Sequence, residues 1–135
     1  MPETPLDPRL HKLDGVKAEV AAKVRQLLKA MELLGHPMLI TDAFRTTEQQ
    51  QLLYAQGRTT PGPIVTHADG LRRRSKHQDG VAVDLTFWHV GADGVARPCW
   101  CAKHPWLLYG EAGKALGLKW GGDWKSPDRP HLEMP

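Results

Sequence analysis

The chain has 135 residues, which is long enough for one domain with its own hydrophobic core and too short for two. Apolar residues make up 41% of the sequence and charged residues 24%, a balance that excludes an intrinsically disordered chain. The formal net charge of +3 at pH 7 favours polyanionic partners, including nucleic acids and the anionic bacterial surface, without choosing among them.

Apolar segments and the N-terminal composition bear on where the protein is found. No apolar run approaches the ~20 residues needed to cross a bilayer, so we expect no stable membrane insertion. Residues 1–14 are rich in proline, carry charges of both signs and do not resemble a signal peptide. We therefore expect a protein that is made in the cytoplasm and stays there unless another agent releases it.

The first half of the chain predicts two helices around one strand. Residues 1–13 are expected to form an extended arm, and Asp14 is the predicted N-cap of a helix that Gly35 ends. Within that helix the apolar residues recur every three or four positions. Residues 37–41 predict a buried strand. Thr46 and Gln49 match a capping box, which predicts a second helix over residues 47–56.

The second half predicts strands that flank a third helix. Residues 57–75 have little periodicity and predict a long loop, which in a small domain tends to be functional or mobile. Apolar residues alternate over residues 81–88, as in a strand, and place Asp84 on a face with small neighbours that leave room for a metal. Residues 105–116 predict a helix, and residues 118–120 and 131–134 predict short strands. The fold class is α+β, a single domain over residues 1–135 with a small, mostly antiparallel sheet packed by helices.

One short run carries the strongest chemical signal. His77 and Asp84 are separated by a turn-forming glycine, and His131 lies near the C-terminus with Asp128 three residues before it. Two imidazoles and one carboxylate form a three-ligand set that leaves a fourth zinc position open for water, whereas structural zinc sites are usually closed by four protein ligands. The sequence therefore predicts a zinc hydrolase.

These motifs resemble those of the peptidase M15 family, which includes D-alanyl-D-alanine carboxypeptidases, dipeptidases and the L-alanyl-D-glutamate endopeptidases of phage endolysins. Residues 44–50, 53–58 and 64–66 resemble the upstream segment of the endolysin branch, and residues 120–124 resemble its approach to the last ligand. The resemblance covers most of the chain from about residue 15 and implies a hedgehog/DD-peptidase-like fold. The metal motif itself reads Ser75-x-His77-x-x-Gly80-x-Ala82-x-Asp84 with Asp128-x-x-His131.

Roles follow from the resemblance residue by residue. It implies that His77, Asp84 and His131 bind one zinc ion. It implies that Asp128 is the general base that takes a proton from the attacking water. Arg45 corresponds to the arginine that stabilises charge on the substrate carbonyl.

Further residues are assigned to supporting or substrate-binding positions. Ser75 is expected to support the site through a hydrogen bond, because no base partner for a nucleophile lies beside it. Glu133 shares a strand face with His131 and is either the rival base or a residue that orients this ligand. The other members of this group are Gln49, together with Trp120 and Trp124, which are either core residues or walls of the cleft.

Structural interpretations compete with several of these assignments. Asp128 is alternatively a cap for the turn between two prolines, and Arg45 is alternatively a counter-ion for Asp42 or Glu48. A structural zinc site at Cys99, Cys101 and His104 is a weak alternative, since Cys-x-Cys is poorer than the usual Cys-x-x-Cys pair and no fourth ligand is evident. The segment of residues 66–75 includes the only basic run, and it is longer and more basic than the family leads us to expect.

The resemblance implies an enzyme that cleaves the stem peptide of bacterial peptidoglycan, between L-alanine and D-glutamate. We expect a monomeric phage or prophage endolysin that a holin-type membrane lesion releases to the cell wall. A D-alanyl-D-alanine carboxypeptidase is the nearest alternative, and a non-catalytic protein that binds zinc and the envelope is another. The hypothesis that the protein binds nucleic acid rests only on the net charge and on the basic run at residues 72–74. We therefore expect no nucleic-acid partner.

Overall fold

The computed structural model describes residues 12–135. Most of the predicted N-terminal arm lies outside these residues; its last residue, Leu13, is buried in the core. The described chain forms three helices and five strands in the order α1, β1, α2, β2, β3, α3, β4, β5, with one 3-10 turn after β4. Their bounds are α1 Ala18–Leu33, β1 Met38–Asp42, α2 Thr47–Ala55, β2 Ala82–Val90, β3 Ala96–Cys99, α3 Trp106–Ala115, β4 Lys119–Trp120, the 3-10 turn Gly121–Asp123 and β5 His131–Glu133.

Helix α1 has the predicted apolar face but starts later than predicted. The N-cap is Lys17, not Asp14, because Gly15 has a φ of 84° and breaks any continuous helix there. The backbone N–H of Lys17 donates to the carbonyl of Gly80 at 2.9 Å, which joins the start of α1 to the turn before β2. The end is as predicted, with Gly35 in the left-handed region at a φ of 85°.

Helix α2 follows the predicted capping box. The Thr46 side chain accepts a hydrogen bond from the backbone N–H of Gln49, and the Gln49 side chain accepts one from the backbone N–H of Thr46. Helix α3 also matches its prediction, apart from one residue at each end.

All five strands join one antiparallel sheet, in which the path β1-β2-β5-β4 is continuous and β3 also pairs with β2. Strand β1 takes one edge of β2, while β5 and β3 pair with the first and last parts of its other edge. The α+β class with a small antiparallel sheet is therefore confirmed. Strand β3 was not predicted, since its short Ala-Arg-Pro-Cys sequence is mostly exposed and has no apolar alternation.

The hydrophobic core lies between this sheet, α1 and α3. Its members are the buried face of α1, the inward residues of β1 and β2, and aromatic side chains of α3 and β4. Both faces of β2 are buried, since Ala82 and Thr86 are as inaccessible as Val83 and Leu85. Among the described residues, no helix is both long and apolar enough to span a bilayer.

Candidate metal and active site

Strand register brings two of the predicted ligands together. Asp84 in β2 lies directly opposite His131 in β5 and, on its other edge, opposite Asp42 in β1. Residues paired directly across antiparallel strands place their side chains on the same face, so these three form one row across the sheet. The row places two carboxylates and an imidazole side by side.

The third ligand comes from the turn before β2. His77 is buried, and Gly80, three residues later, has a φ of 71°. A Cβ at Gly80 would lie 2.7 Å from the carbonyl oxygen of Gly15, so only glycine fits this close crossing with the start of α1. The turn directs His77 towards Asp84, with His77 Nε2 3.5 Å from Asp84 Oδ1.

The predicted ligands converge on one point. Atoms from His77, Asp84 and His131 that can bind a metal all lie within 4.8 Å of one another, and the described residues contain no other such group. His131 Nδ1 is 3.2 Å from the same Asp84 Oδ1 that faces His77. Two imidazole nitrogens and a carboxylate oxygen are a donor set that suits zinc.

Hydrogen bonds on the far side of each ring leave the correct nitrogen for a metal. His77 Nδ1 lies 2.7 Å from the carbonyl oxygen of Ala43, which can only accept, so Nδ1 donates to this carbonyl and Nε2 is the nitrogen that faces Asp84. His131 Nε2 lies 2.8 Å from Glu133 Oε1, which leaves Nδ1 towards Asp84. Partners of this kind fix the tautomer and orientation of metal-binding histidines, so the residues fit the zinc that the sequence predicts.

Electrostatics hold Asp84 in its charged form. Burial raises the pKa of Asp84, but hydrogen bonds from His131 and His77 outweigh it, and the pKa lies well below the ordinary value for aspartate. Burial lowers the pKa of His131, whereas the hydrogen bond to Asp84 and the contact with Glu133 raise it, so that its pKa lies above the ordinary value. The contact between His131 and Asp84 thus shifts both pKa values in the direction that favours the charged forms.

Arg45 contacts both carboxylates of the row. Its Nε donates to Asp42 Oδ2 at 2.7 Å, and its terminal nitrogen NH2 is 3.8 Å from Asp84 Oδ2. Its other terminal nitrogen, NH1, donates to Gln50 Oε1 at 3.0 Å. Arg45 is thus a counter-ion for Asp42, as the alternative held. It also lies on the wall of the cavity that contains His77, Asp84 and His131, here called the metal cavity.

Asp128 lies in the same cavity as the three ligands. Its backbone N–H donates to the carbonyl of Gly121 at 2.8 Å, and its own carbonyl accepts from the N–H of His131 at 3.2 Å. Gly121 is required by packing, because a Cβ there would lie 2.4 Å from the carbonyl oxygen of Asp128. Partial burial raises the pKa of the Asp128 carboxyl, and the negative charge of Asp84 raises it further. This direction brings a general base closer to neutral pH.

Two aromatic residues hold the segment between Asp128 and His131. Tyr109 donates its hydroxyl to the carbonyl of Pro130, and Trp120 donates its indole N–H to the carbonyl of Arg129, each at 2.7 Å. Trp120 is thus a core residue that fixes the approach to the last ligand. Tyr109 was missed by sequence reasoning, since nothing in a helical Trp-Leu-Leu-Tyr run indicates a distant carbonyl partner.

The remaining predicted residues divide between the cavity and the surface. Ser75 lines the cavity and accepts a hydrogen bond from the backbone N–H of His77 at 3.2 Å. Trp124 forms part of the wall, with its ring centroid 4.9 Å from that of His131. Gln49 caps α2 and borders a neighbouring groove, outside the metal cavity.

Gln50, next to Gln49, is the important residue that the sequence did not indicate. It is fully buried, and its amide nitrogen donates to the hydroxyl of Thr66 at 3.3 Å and to the carbonyl of Ala68 at 3.0 Å. It therefore ties Arg45 to the long loop. The available signals were its place in residues 44–50, which carry part of the resemblance, and its spacing of three residues from Leu53 and four from Tyr54.

The alternative structural zinc site finds no support in the described residues. Cys99, Cys101 and His104 do not form a metal-binding group, and both cysteines are free. His104 instead stacks on Phe87 with 4.8 Å between ring centroids.

The cavity has a volume of about 270 Å³ and is open to solvent. The lining contains the three ligands, Asp128 and Trp124, and it also contains residues of the long loop before His77. The reactive groups and the basic loop therefore border the same space. Its lining residues are Arg45, Val65, Thr66, Ala68, Arg73, Arg74, Ser75, Lys76, His77, Asp84, Trp124, Asp128, His131 and Glu133.

Comparison with known proteins identifies relatives of this chain. Two family models described as D-alanyl-D-alanine carboxypeptidase match the chain, over residues 14–95 and 69–134. The peptidoglycan L-alanyl-D-glutamate endopeptidase CwlK of Bacillus subtilis strain 168 is 41% identical over 109 residues, covering 74% of this chain. The chain matches only 62% of the length of CwlK.

Solved structures share the fold. The L-Ala D-Glu endopeptidase ChiX of Serratia marcescens matches with a TM-score of 0.62 and 22% identity, over 93% of this chain and 84% of its own. The D,D-pentapeptidase VanY of a VanB-type resistance cassette, crystallised as a mutant with Zn(II), matches with a TM-score of 0.60 and 18% identity, over 88% of this chain and 72% of its own.

Proposed function

The chain belongs to the peptidase M15 family, and from this we propose that it is a zinc-dependent hydrolase of bacterial peptidoglycan stem peptides that cuts between L-alanine and D-glutamate. The observation that carries the proposal is the convergence of His77, Asp84 and His131 in one cavity with Asp128. The 41% identity to an L-alanyl-D-glutamate endopeptidase supports this bond over the D-alanyl-D-alanine bond.

The residues present suit amide hydrolysis. Zinc held by the two histidines and Asp84 would activate a water molecule and polarise the scissile carbonyl. Asp128, with its raised pKa, accepts the proton of the attacking water and passes it to the leaving amine. Arg45 contributes positive charge beside the developing oxyanion, and its bonds to Asp42 and Gln50 hold it in place.

Digestion of purified sacculi tests the scissile bond. We expect new L-alanine C-termini and D-glutamate N-termini by mass spectrometry. Release of free D-alanine without scission of the stem peptide would instead establish the carboxypeptidase alternative.

An Asp128→Asn variant tests catalysis against simple binding. The loss of a general base lowers hydrolysis by about 10²- to 10⁴-fold, while zinc content measured by atomic absorption stays at that of the wild type. Asp123→Asn is the matched control, because this exposed carboxylate lies in the preceding turn and pairs with Lys114 at 3.0 Å. Equal activity of both variants would refute the role of Asp128, and a wild type that binds zinc without cleaving sacculi would establish the non-catalytic alternative.

We also propose that the enzyme acts as a phage or prophage endolysin, made in the cytoplasm and released to the wall through a holin-type lesion. Support comes from the likeness of residues 44–50, 53–58 and 64–66 to the endolysin branch. Expression in a peptidoglycan-containing host, with and without a co-expressed holin, tests the idea. Lysis that requires both proteins is expected, and no lysis in either case would contradict it.

A further inference from the structure

The loop that precedes His77 is held in one conformation by side-chain hydrogen bonds. The Asp69 side chain accepts hydrogen bonds from the backbone N–H groups of residues 71, 72 and 73 at 2.9–3.0 Å. Gln50 donates to the carbonyl of Ala68, and the buried Gln78 donates to the carbonyl of Gly70, each at 3.0 Å. Residues 68–70, which precede the basic run, are therefore held in place, and Asp69 caps the backbone of the run itself.

The three arginines of this run differ in their surroundings. Arg74 pairs with Asp79 at 3.1 Å, so its charge is already balanced. All three arginines are exposed, but Arg72 does not line the metal cavity. Arg73 lines the cavity, and within residues 12–135 its side chain has no carboxylate partner. Lys76 shares both properties with Arg73.

The cavity lining thus carries groups of both charges. Asp84, Asp128 and Glu133 lie where the metal ligands converge, and Arg45 is occupied by Asp42. Arg73 and Lys76 are the cations of the lining that have no acidic partner among the described residues. An unpaired guanidinium beside a reactive centre is suited to a carboxylate of the substrate, which it can bind through two parallel hydrogen bonds.

The proposed substrate carries a carboxylate next to the scissile bond. D-glutamate in a stem peptide is joined onward through its γ-carboxyl, which leaves a free α-carboxylate on the carbon that bears the scissile nitrogen. We propose that Arg73, assisted by Lys76, binds this α-carboxylate, so that the enzyme prefers stem peptides with D-glutamate over those in which this carboxyl is amidated. The inference rests on the proposed cleavage between L-alanine and D-glutamate.

Two synthetic peptides that differ at this one group test the proposal. They are N-acetyl-L-alanyl-γ-D-glutamyl-L-lysine and its counterpart with the α-carboxamide. For the zinc-loaded wild type we expect kcat/KM to be about 10- to 100-fold higher on the acid than on the amide, the size of one charge-assisted hydrogen bond. In Arg73→Gln we expect the ratio to fall to within about threefold of one, mainly through a higher KM for the acid.

Arg72→Gln is the matched control, since it removes the same charge from the neighbouring position without changing the cavity lining. It should keep the wild-type ratio, and Lys76→Gln should lower the ratio less than Arg73→Gln. A wild-type ratio in Arg73→Gln, with both peptides still cleaved, overturns the inference and leaves the proposed function intact. If the Arg72 and Arg73 variants lose kcat/KM on the acid peptide equally, and the loss depends on salt concentration, the inference is also overturned and the run is a general binding surface for polyanions. If the wild type cleaves neither peptide, both proposals are wrong.

Discussion

We predict that Glu133 orients the metal ligand His131 and is not the catalytic base. Its carboxylate is 2.8 Å from His131 Nε2, and its side chain is only 13% exposed. Residues two apart on a strand share a face, which is how the short strand β5 delivers both groups to one place. We expect Glu133→Ala to weaken zinc binding about 10- to 100-fold, because the imidazole loses the partner that fixes its tautomer and orientation. This corresponds to about 1.4–2.7 kcal/mol.

A second substitution separates charge from geometry. The amide oxygen of Gln in Glu133→Gln still accepts the Nε2–H of His131, so its loss of zinc affinity should be smaller than that of the alanine variant. Affinity is measured at pH 7.5 by competition with a fluorescent chelator. Glu111→Gln, an exposed change that affects only the pair with Lys114, is the control.

Activity at saturating zinc completes this test. If Glu133 only positions His131, Glu133→Gln retains most of the wild-type kcat once zinc is saturating, whereas Asp128→Asn does not. A loss of 100-fold or more in Glu133→Gln with unchanged zinc affinity would refute the positioning role and make Glu133 the base.

Further predictions concern stability, protonation and metal removal. Gln50→Ala should destabilise the protein by about 2–4 kcal/mol in urea unfolding, because it leaves buried hydrogen-bond partners unmet, while the exposed Gln51→Ala should change little. In zinc-free protein, NMR should place the pKa of His131 above 6.5, and Asp84→Asn should lower it; an unchanged value would contradict the assigned cause. Since this pKa is raised by folding, the associated stability is complete below pH 6.5 and is lost as pH rises through the folded-state pKa. Chelation of zinc should lower Tm by about 10 °C relative to zinc at 100 times Kd, and identical melts would show that binding is not linked to folding.

Local chemistry explains which elements the sequence predicted correctly. The apolar spacing of α1 and the capping box at Thr46 depend on residues within one or two turns of each other, so the sequence alone contains the signal. Asp14 failed as an N-cap because Gly15 turns the chain to meet Gly80, a contact between distant segments. Strand β3 was missed for a related reason, since its pairing with β2 supplies an order that its own residues do not indicate.

The residues of the site also fall into those with a local sequence signal and those placed by distant contacts. The ligand motif was visible because His77, Gly80 and Asp84 lie close in sequence and His131 follows Asp128 by three residues, and the resemblance then assigned all three ligands. Partners that complete the site come from elsewhere in the chain, and no local pattern indicates them. They are the carbonyl of Ala43, the buried amide of Gln50 and the hydroxyl of Tyr109.

Register in the sheet is the point at which fold and chemistry depend on each other. Only three residue pairs join β2 to β5, and one of them is Asp84 with His131. A slip of one residue in the pairing of β5 with β2 would turn His131 to the opposite face and replace it with Leu132. The slip would destroy the ligand set and at the same time remove a core side chain from the core. Leu132 is fully buried and fits against Gly113, where a Cβ would come within 2.7 Å of it, so apolar packing alone opposes the slip. The core therefore fixes the register that brings Asp84 and His131 together, and a zinc ion held across the two strands would stabilise the same pairing in return.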